Sequence, residues 1–178
     1  MKPRVGISRC LLGEDVRYDG TNRLSAAVAE LTPMVEWVPV CPEVEVGMGV
    51  PREPIRLVRG ADGVPAGSES VRLKGVRSGE DWTERMHRWA AARVIDLAAA
   101  GISGFVLKAR SPSCGPAGVL VHDDSAAAAV ATGRGLFAEA LAAVMPGLPM
   151  IDEETLEDRG QRERFLQTVR AFAGSRGA

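Results

Sequence analysis

Short apolar runs alternate along the chain with longer stripes of apolar residues at helical spacing. Arg4 to Ser8 is a short run that leads into Cys10, and Leu11-Leu12-Gly13 begins a loop. Leu24, Val28 and Leu31 recur at helical spacing and predict a helix over 24–31 that Pro33 ends. Val35 to Val40 reads as a strand stopped by Cys41-Pro42, and residues 42–54 carry the Pro and Gly content of a loop. Ile55 to Val58 and Val71 to Leu73 flank a Gly/Pro/Ser-rich stretch, which predicts a small β-hairpin with its tip around Ala61 to Ser70.

The clearest helix is 82–100. Asp81 and Glu84 have capping-box spacing, Met86, Ala90, Val94 and Leu97 form one apolar stripe, and Gly101 supplies a left-handed stop. Gly104 to Lys108 is a continuous apolar run, as a strand buried on both faces requires. Further on, Gly135 to Val144 reads as a helix, Leu148 to Ile151 as a short strand and Arg162 to Phe172 as a terminal helix. Strand–helix alternation with buried runs predicts an α/β fold: a mostly parallel sheet with helices on both faces and a small β-hairpin insertion. Ligands in such sheets bind beyond the carboxyl ends of the strands.

At 178 residues the chain is long enough for one compact domain over 1–178. A net charge of −1 offers no general attraction to nucleic acid or to anionic membranes, and 4% aromatic residues make a base-stacking platform a poor fit. No apolar stretch approaches the ~20 residues of a membrane span, and the first residues lack a secretory apolar core. Three cysteines, an odd number, argue for reduced thiols in a cytoplasmic protein over a disulfide framework.

Each cysteine follows an expected strand: Cys10 the first, Cys41 the second, Cys114 the run at 104–108. All three therefore fall on the functional rim. Thiolates are soft ligands suited to iron–sulfur clusters and to zinc, and Gly115 beside Cys114 would let backbone approach an inorganic sulfide. Three protein ligands on a four-iron cluster leave one iron open as a Lewis acid. Ordinary buried thiols, or thiols that report oxidation, fit the same pattern.

Ser8-Arg9-Cys10-Leu11-Leu12-Gly13, Arg17-Tyr18-Asp19-Gly20, Cys41-Pro42-Glu43, Gly49-Val50-Pro51-Arg52-Glu53-Pro54 and Lys108-Ala109-Arg110-Ser111-Pro112-Ser113-Cys114-Gly115, in that order, resemble the thiouracil desulfidase (TudS) family. The resemblance runs to about residue 151 and leaves the helix at 162–172 as an addition. It implies a Rossmann-like fold, a 4Fe–4S cluster on Cys10, Cys41 and Cys114, and removal of sulfur from thiolated uracils without net redox change. Its catalytic acid residue and serine map onto Glu43 and Ser111. The chain departs from the family in two places. Val44-Glu45-Val46-Gly47-Met48-Gly49 is closer to relatives with an extra C-terminal domain that are associated with thiolated tRNA, and Arg9 stands where a small residue is commoner.

The expected substrate is a small thiolated pyrimidine, with tRNA disfavoured by charge and composition and no membrane partner. A three-cysteine zinc hydrolase acting on a nucleobase is the nearest rival, although the chain lacks the Cys-x-x-Cys pair of the deaminases. A non-catalytic iron–sulfur or redox sensor is another. Several polar residues have plainer readings. Glu45 reads as a solvated loop charge, Ser111 as a turn residue, Arg52 as a carboxylate's partner, and Lys108 and Arg110 as strand-end charges or anion attractors. His87 falls at a helix surface, and His122-Asp123-Asp124 reads as a strand end and turn or as a metal site.

Overall fold

A computed structural model describes residues 2–60, 71–123 and 128–175. Four strands form the central sheet in the order β2-β1-β5-β8, all parallel: β1 (Arg4–Ser8), β2 (Glu36–Val40), β5 (Ile102–Leu107) and β8 (Met150–Asp152). β5 is buried along its whole length, because helices cover both faces. On one face Val5, Ile7 and Val106 pack against α1 (Ala26–Leu31), α5 (Glu153–Leu156) and α6 (Arg159–Ser175). On the other, Ile102, Phe105 and Leu107 pack against α3 (Thr83–Ala99) and α4 (Leu136–Val144). Period-two alternation assigns Phe105 and Leu107 to one face and Val106 to the other, and a shift of register against β1 between Arg4 and Gly6 leaves Ile102 on the Phe105 side.

The predicted hairpin strands, β3 (Ile55–Arg59) and β4 (Val71–Gly75), pair antiparallel with Ile55 opposite Gly75; the tip at 61–70 lies outside the described residues. They belong to a second sheet, β4-β3-β6-β7, completed by β6 (Val119–His122) and β7 (Ala129–Gly133). Leu57, Leu73, Val119 and Val121 seat this sheet on Met86 of α3 and Leu136 of α4.

Most expected elements are present within a residue or two. The α1 helix starts at Ala26 because Ser25 caps it, its Oγ accepting the Val28 N–H at 3.3 Å, and Leu24 is left exposed. The α3 stripe is buried as expected, but its cap differs. Trp82 occupies the N-cap position, and Asp81 accepts the Thr83 N–H at 2.9 Å from one residue further back. The stretch at 42–54 is not all loop, since Pro42 begins the one-turn helix α2 (Pro42–Glu45). The terminal helix packs directly on the sheet: a Cβ on Gly104 of β5 would sit 2.6 Å from Val169 of α6. Among the described residues no helix is long and apolar enough to cross a membrane.

Gly6 marks the tightest contact between central strands. A Cβ there would lie 2.3 Å from ring carbons of Phe105, whose ring meets Phe137 edge-on with centroids 5.5 Å apart. Gly6→Ala is expected to destabilise the fold by about 1–3 kcal/mol through overpacking. Urea unfolding reads this directly, and an unchanged midpoint would show that the ring yields without cost.

Candidate functional site

Parallel pairing brings the three strand ends level. Ser8, the last residue of β1, lies opposite Val40, the last of β2, and Ile7 lies opposite Val106 of β5. Neighbouring strands are about 4.8 Å apart, so the residues that follow them emerge side by side. Cys10 sits in a tight 3-10 turn over Arg9–Leu12, whose exit Gly13 takes at φ 89° while its N–H bonds the Cys10 carbonyl. Cys41 is the N-cap of α2, and its N–H is held by Glu45 Oε1 at 3.1 Å. Cys114 ends a loop after β5 in which its N–H donates to Ser111 Oγ at 3.1 Å. All three thiols are buried and line one cavity of about 380 Å³.

Their surroundings resist ionisation of any one of them alone. Burial pushes the Cys10 thiol up to about 11, with the neighbouring Cys41 adding to the shift and Lys108 opposing it. Burial also raises Cys41, against the Val44 N–H, and raises Cys114, against a hydrogen bond with Ser8. Three such thiols become thiolates together only beside a compensating cation, which is what a metal centre supplies. Among the described residues no group of three or more His, Cys, Asp or Glu side chains closes on a position for a metal ion. A lone zinc would draw its sulfurs to about 2.3 Å from one point. Three soft donors around one cavity are a donor set that suits iron–sulfur clusters and zinc alike.

Glu43 and Ser111 line the same cavity. Both oxygens of Glu43 are engaged: Oε2 accepts from Arg52 Nε at 2.9 Å and Nη2 at 2.5 Å, and Oε1 accepts from Ser113 Oγ at 2.9 Å. Arg52 also donates to the carbonyls of Gly49 and Val16, while its own N–H bonds the Tyr18 carbonyl. The plain reading of Arg52 as a carboxylate's partner is therefore the one observed, and the carboxylate is Glu43. Ser113, absent from the expected site, is fully buried and stands between Glu43, Ser111 Oγ at 3.1 Å and Cys114 Sγ at 3.7 Å. Its signal lay inside the SPSCG block, where nothing local separates one serine from the other.

Other expectations shift. Glu45 is no solvated charge: besides the Cys41 N–H it accepts from Arg93 at 3.1 Å and so braces a thiol-bearing turn. Gly115 does not line the cavity, and its missing side chain makes room for Val119, which a Cβ would meet at 2.4 Å. Lys108 and Arg110 line the cavity but pair with Glu153 and Glu154, and Arg9 pairs with Glu14. Arg17 stacks over Tyr18 at 5.4 Å, and its Nη1 is buried without a hydrogen-bond partner among the described residues. His87 is exposed on α3. His122 ends β6, Asp123 faces Arg59, and Asp124 lies outside the described residues.

The profile of the 2-thiouracil desulfurase family matches residues 5–153. This chain belongs to that family. YbbK of Bacillus subtilis (strain 168), an uncharacterized protein, is 31% identical over 153 residues, covering 85% of this chain and 97% of its own. Among solved structures, a [4Fe-4S]-dependent thiouracil desulfidase, TudS, superposes with a TM-score of 0.69 at 27% identity, over 92% of this chain and 99% of that one. The family match spans all three thiols, Glu43 and both serines of the loop before Cys114, so the braced cavity lies wholly within the family's segment.

Arg52 and Glu43 form a nearly buried pair, with side chains 7% and 14% exposed. Arg52→Ala leaves a carboxylate without its partner and is expected to cost roughly 3 kcal/mol. Arg52→Lys, which lacks the fork, should fall between that variant and wild type. Denaturant unfolding of both variants measures this, and equal stability of all three proteins would mean the pair only decorates the loop.

Proposed function

We propose that the protein is a hydrolytic, non-redox desulfidase that removes sulfide from thiolated uracil or thiouridine-type compounds with a 4Fe–4S cluster. The observation that carries this reading is the convergence of three buried thiols with Glu43 and Ser111 on one cavity. Cys10, Cys41 and Cys114 would hold the cluster, which when bound supplies a soft Lewis-acid iron suited to a thiocarbonyl sulfur. Family membership and the [4Fe-4S]-dependent neighbour support the same assignment.

The chain's own groups manage water and protons. Glu43 Oε1 keeps a lone pair beyond its bond to Ser113 and orients a water against the thiocarbonyl carbon, taking the proton as oxygen adds. Arg52 holds that carboxylate in one orientation, so none of its geometry must be found during the reaction. Ser111 hydrogen-bonds the ring. The oxygen of water replaces sulfur on carbon and its protons leave with the sulfide, so the balance is thiocarbonyl plus water to carbonyl plus hydrogen sulfide, with no electrons gained or lost. Arg9, Arg52, Lys108 and Arg110 are each paired with a carboxylate and Arg17 is left as a local cation, which supports a small substrate over a polyanion such as tRNA. Reduced, buried thiols support a cytoplasmic setting.

Protein reconstituted without oxygen is expected to bind about four irons and four sulfides. Ser in place of Cys10, Cys41 or Cys114 should remove cluster and activity together. A zinc-only protein, or a Cys variant with full turnover, would overturn the cofactor assignment.

Glu43→Gln should keep its iron and lose about 10²–10⁴-fold in rate, as loss of a general base does; loss of iron instead would make Glu43 structural. Free 2-thiouracil, 4-thiouracil or a thiouridine nucleotide should release sulfide. Intact thiolated tRNA should react poorly and weaken further as salt rises. A preference for tRNA at physiological salt would reverse the substrate assignment.

A further inference from the structure

Ser113 has one hydroxyl proton and three acceptors within reach: Glu43 Oε1 at 2.9 Å, Ser111 Oγ at 3.1 Å and Cys114 Sγ at 3.7 Å. The carboxylate is the nearest and the only oxyanion of the three, so it takes the proton. Ser113 Oγ is then an acceptor toward Ser111, and the 3.1 Å contact between the hydroxyls requires Ser111 to donate. Ser111 has thereby spent its single proton inside the protein. One of its lone pairs receives the Cys114 N–H at 3.1 Å, while the Ser113 N–H stands at 3.4 Å, the limit of a hydrogen bond. Ser111 is half-buried and lines the cavity. What it offers there is acceptor capacity, through the lone pair that only the long Ser113 N–H contact engages, and no proton.

We propose that Ser113 is a positioning residue that fixes Ser111 as a hydrogen-bond acceptor, so that the site selects a thiocarbonyl flanked by a ring N–H over one flanked by an unprotonated ring nitrogen. This rests on the desulfuration reading above and names the feature of the substrate that the serine pair reads. A donor in the substrate completes Ser111, whereas an acceptor faces it lone pair to lone pair and leaves both groups unpaired. With Ser113→Ala the Ser111 hydroxyl is released from its internal acceptor and can turn its proton to the cavity. The same site then accommodates either ring nitrogen.

The probes are 2-thiouridine, whose nitrogen beside the thiocarbonyl carries a proton, and 2-thiocytidine, whose corresponding nitrogen carries a lone pair. The measurement is the ratio of their kcat/KM values on anaerobically reconstituted protein, with iron and labile sulfide determined for every variant. Wild type should favour 2-thiouridine by about tenfold or more. Ser113→Ala should lower that ratio at least about threefold with its iron retained, and Ser113→Thr, which restores the hydroxyl, should return it. Ser111→Ala, which leaves Ser113 on its carboxylate, should lower the same ratio and decides the matter if Ser113→Ala does not fold. A ratio unchanged in either alanine variant overturns the proposal, as does loss of iron from both, which would make the serines purely structural. Wild type that releases sulfide from neither nucleoside nor free 2-thiouracil overturns the desulfuration reading itself, and the proposal falls with it; turnover of free 2-thiouracil with neither nucleoside accepted overturns the proposal alone.

Discussion

Parallel pairing of β1 with its two neighbours is the constraint on which the site depends. Hydrogen bonds to β2 on one side and β5 on the other hold Ser8, Val40 and Val106 near one level, so whatever follows each strand emerges on one rim. Cys10, Cys41 and Cys114 come from distant parts of the chain, and no loop among them need be long for the thiols to meet. The close fit of Phe105 against Gly6 belongs to the same arrangement, because a side chain at Gly6 would drive the aromatic ring away from the neighbouring strand. A slip of one residue in either pairing would exchange the faces of the strand that moved and carry its end, and the thiol that follows it, off the common level.

Above that rim, carboxylates brace the loops. Glu43 is tied through Arg52 to the carbonyls of Val16 and Gly49, Glu45 joins the Cys41 turn to Arg93 of α3, and Glu153 joins Lys108 to the Ala109 N–H at 2.6 Å. Breaking a buried charge pair is costly because it leaves its partner desolvated and alone, so each brace confines its loop to one arrangement. A site assembled before its ligand arrives spends no binding energy on ordering its own groups. The same pairings remove most of the positive charge from the cavity rim. What remains toward the interior is three thiols, the hydroxyls of Ser8, Ser111 and Ser113, one free lone pair of the Glu43 carboxylate, and Arg17, whose buried Nη1 has no hydrogen-bond partner among the described residues.

The chain by itself determined the alternation of strands and helices, the buried stripe of α3, the all-buried β5 and the placement of each cysteine just past a strand. These are local properties, written in side-chain periodicity and in Gly, Pro and cap residues, and they survive into the fold with ends moved by a residue or two. Tertiary structure decided the rest. The strand ending at His122 is legible, but the strand at 129–133 has too little alternation of its own to be read and becomes a strand by pairing with β6, which itself pairs with β3. Which acids hold which bases was also beyond local pattern: Glu45, Glu153 and Glu154 look like solvated charges until Arg93, Lys108 and Arg110 are placed beside them. Ser113 is the sharpest case. In the sequence it is one of two serines flanking a proline, and only the approach of Glu43 from across the sheet separates it from Ser111. Hydrogen bonds between distant segments depend on the packed backbone that brings them within 3 Å, and no local spacing encodes that distance.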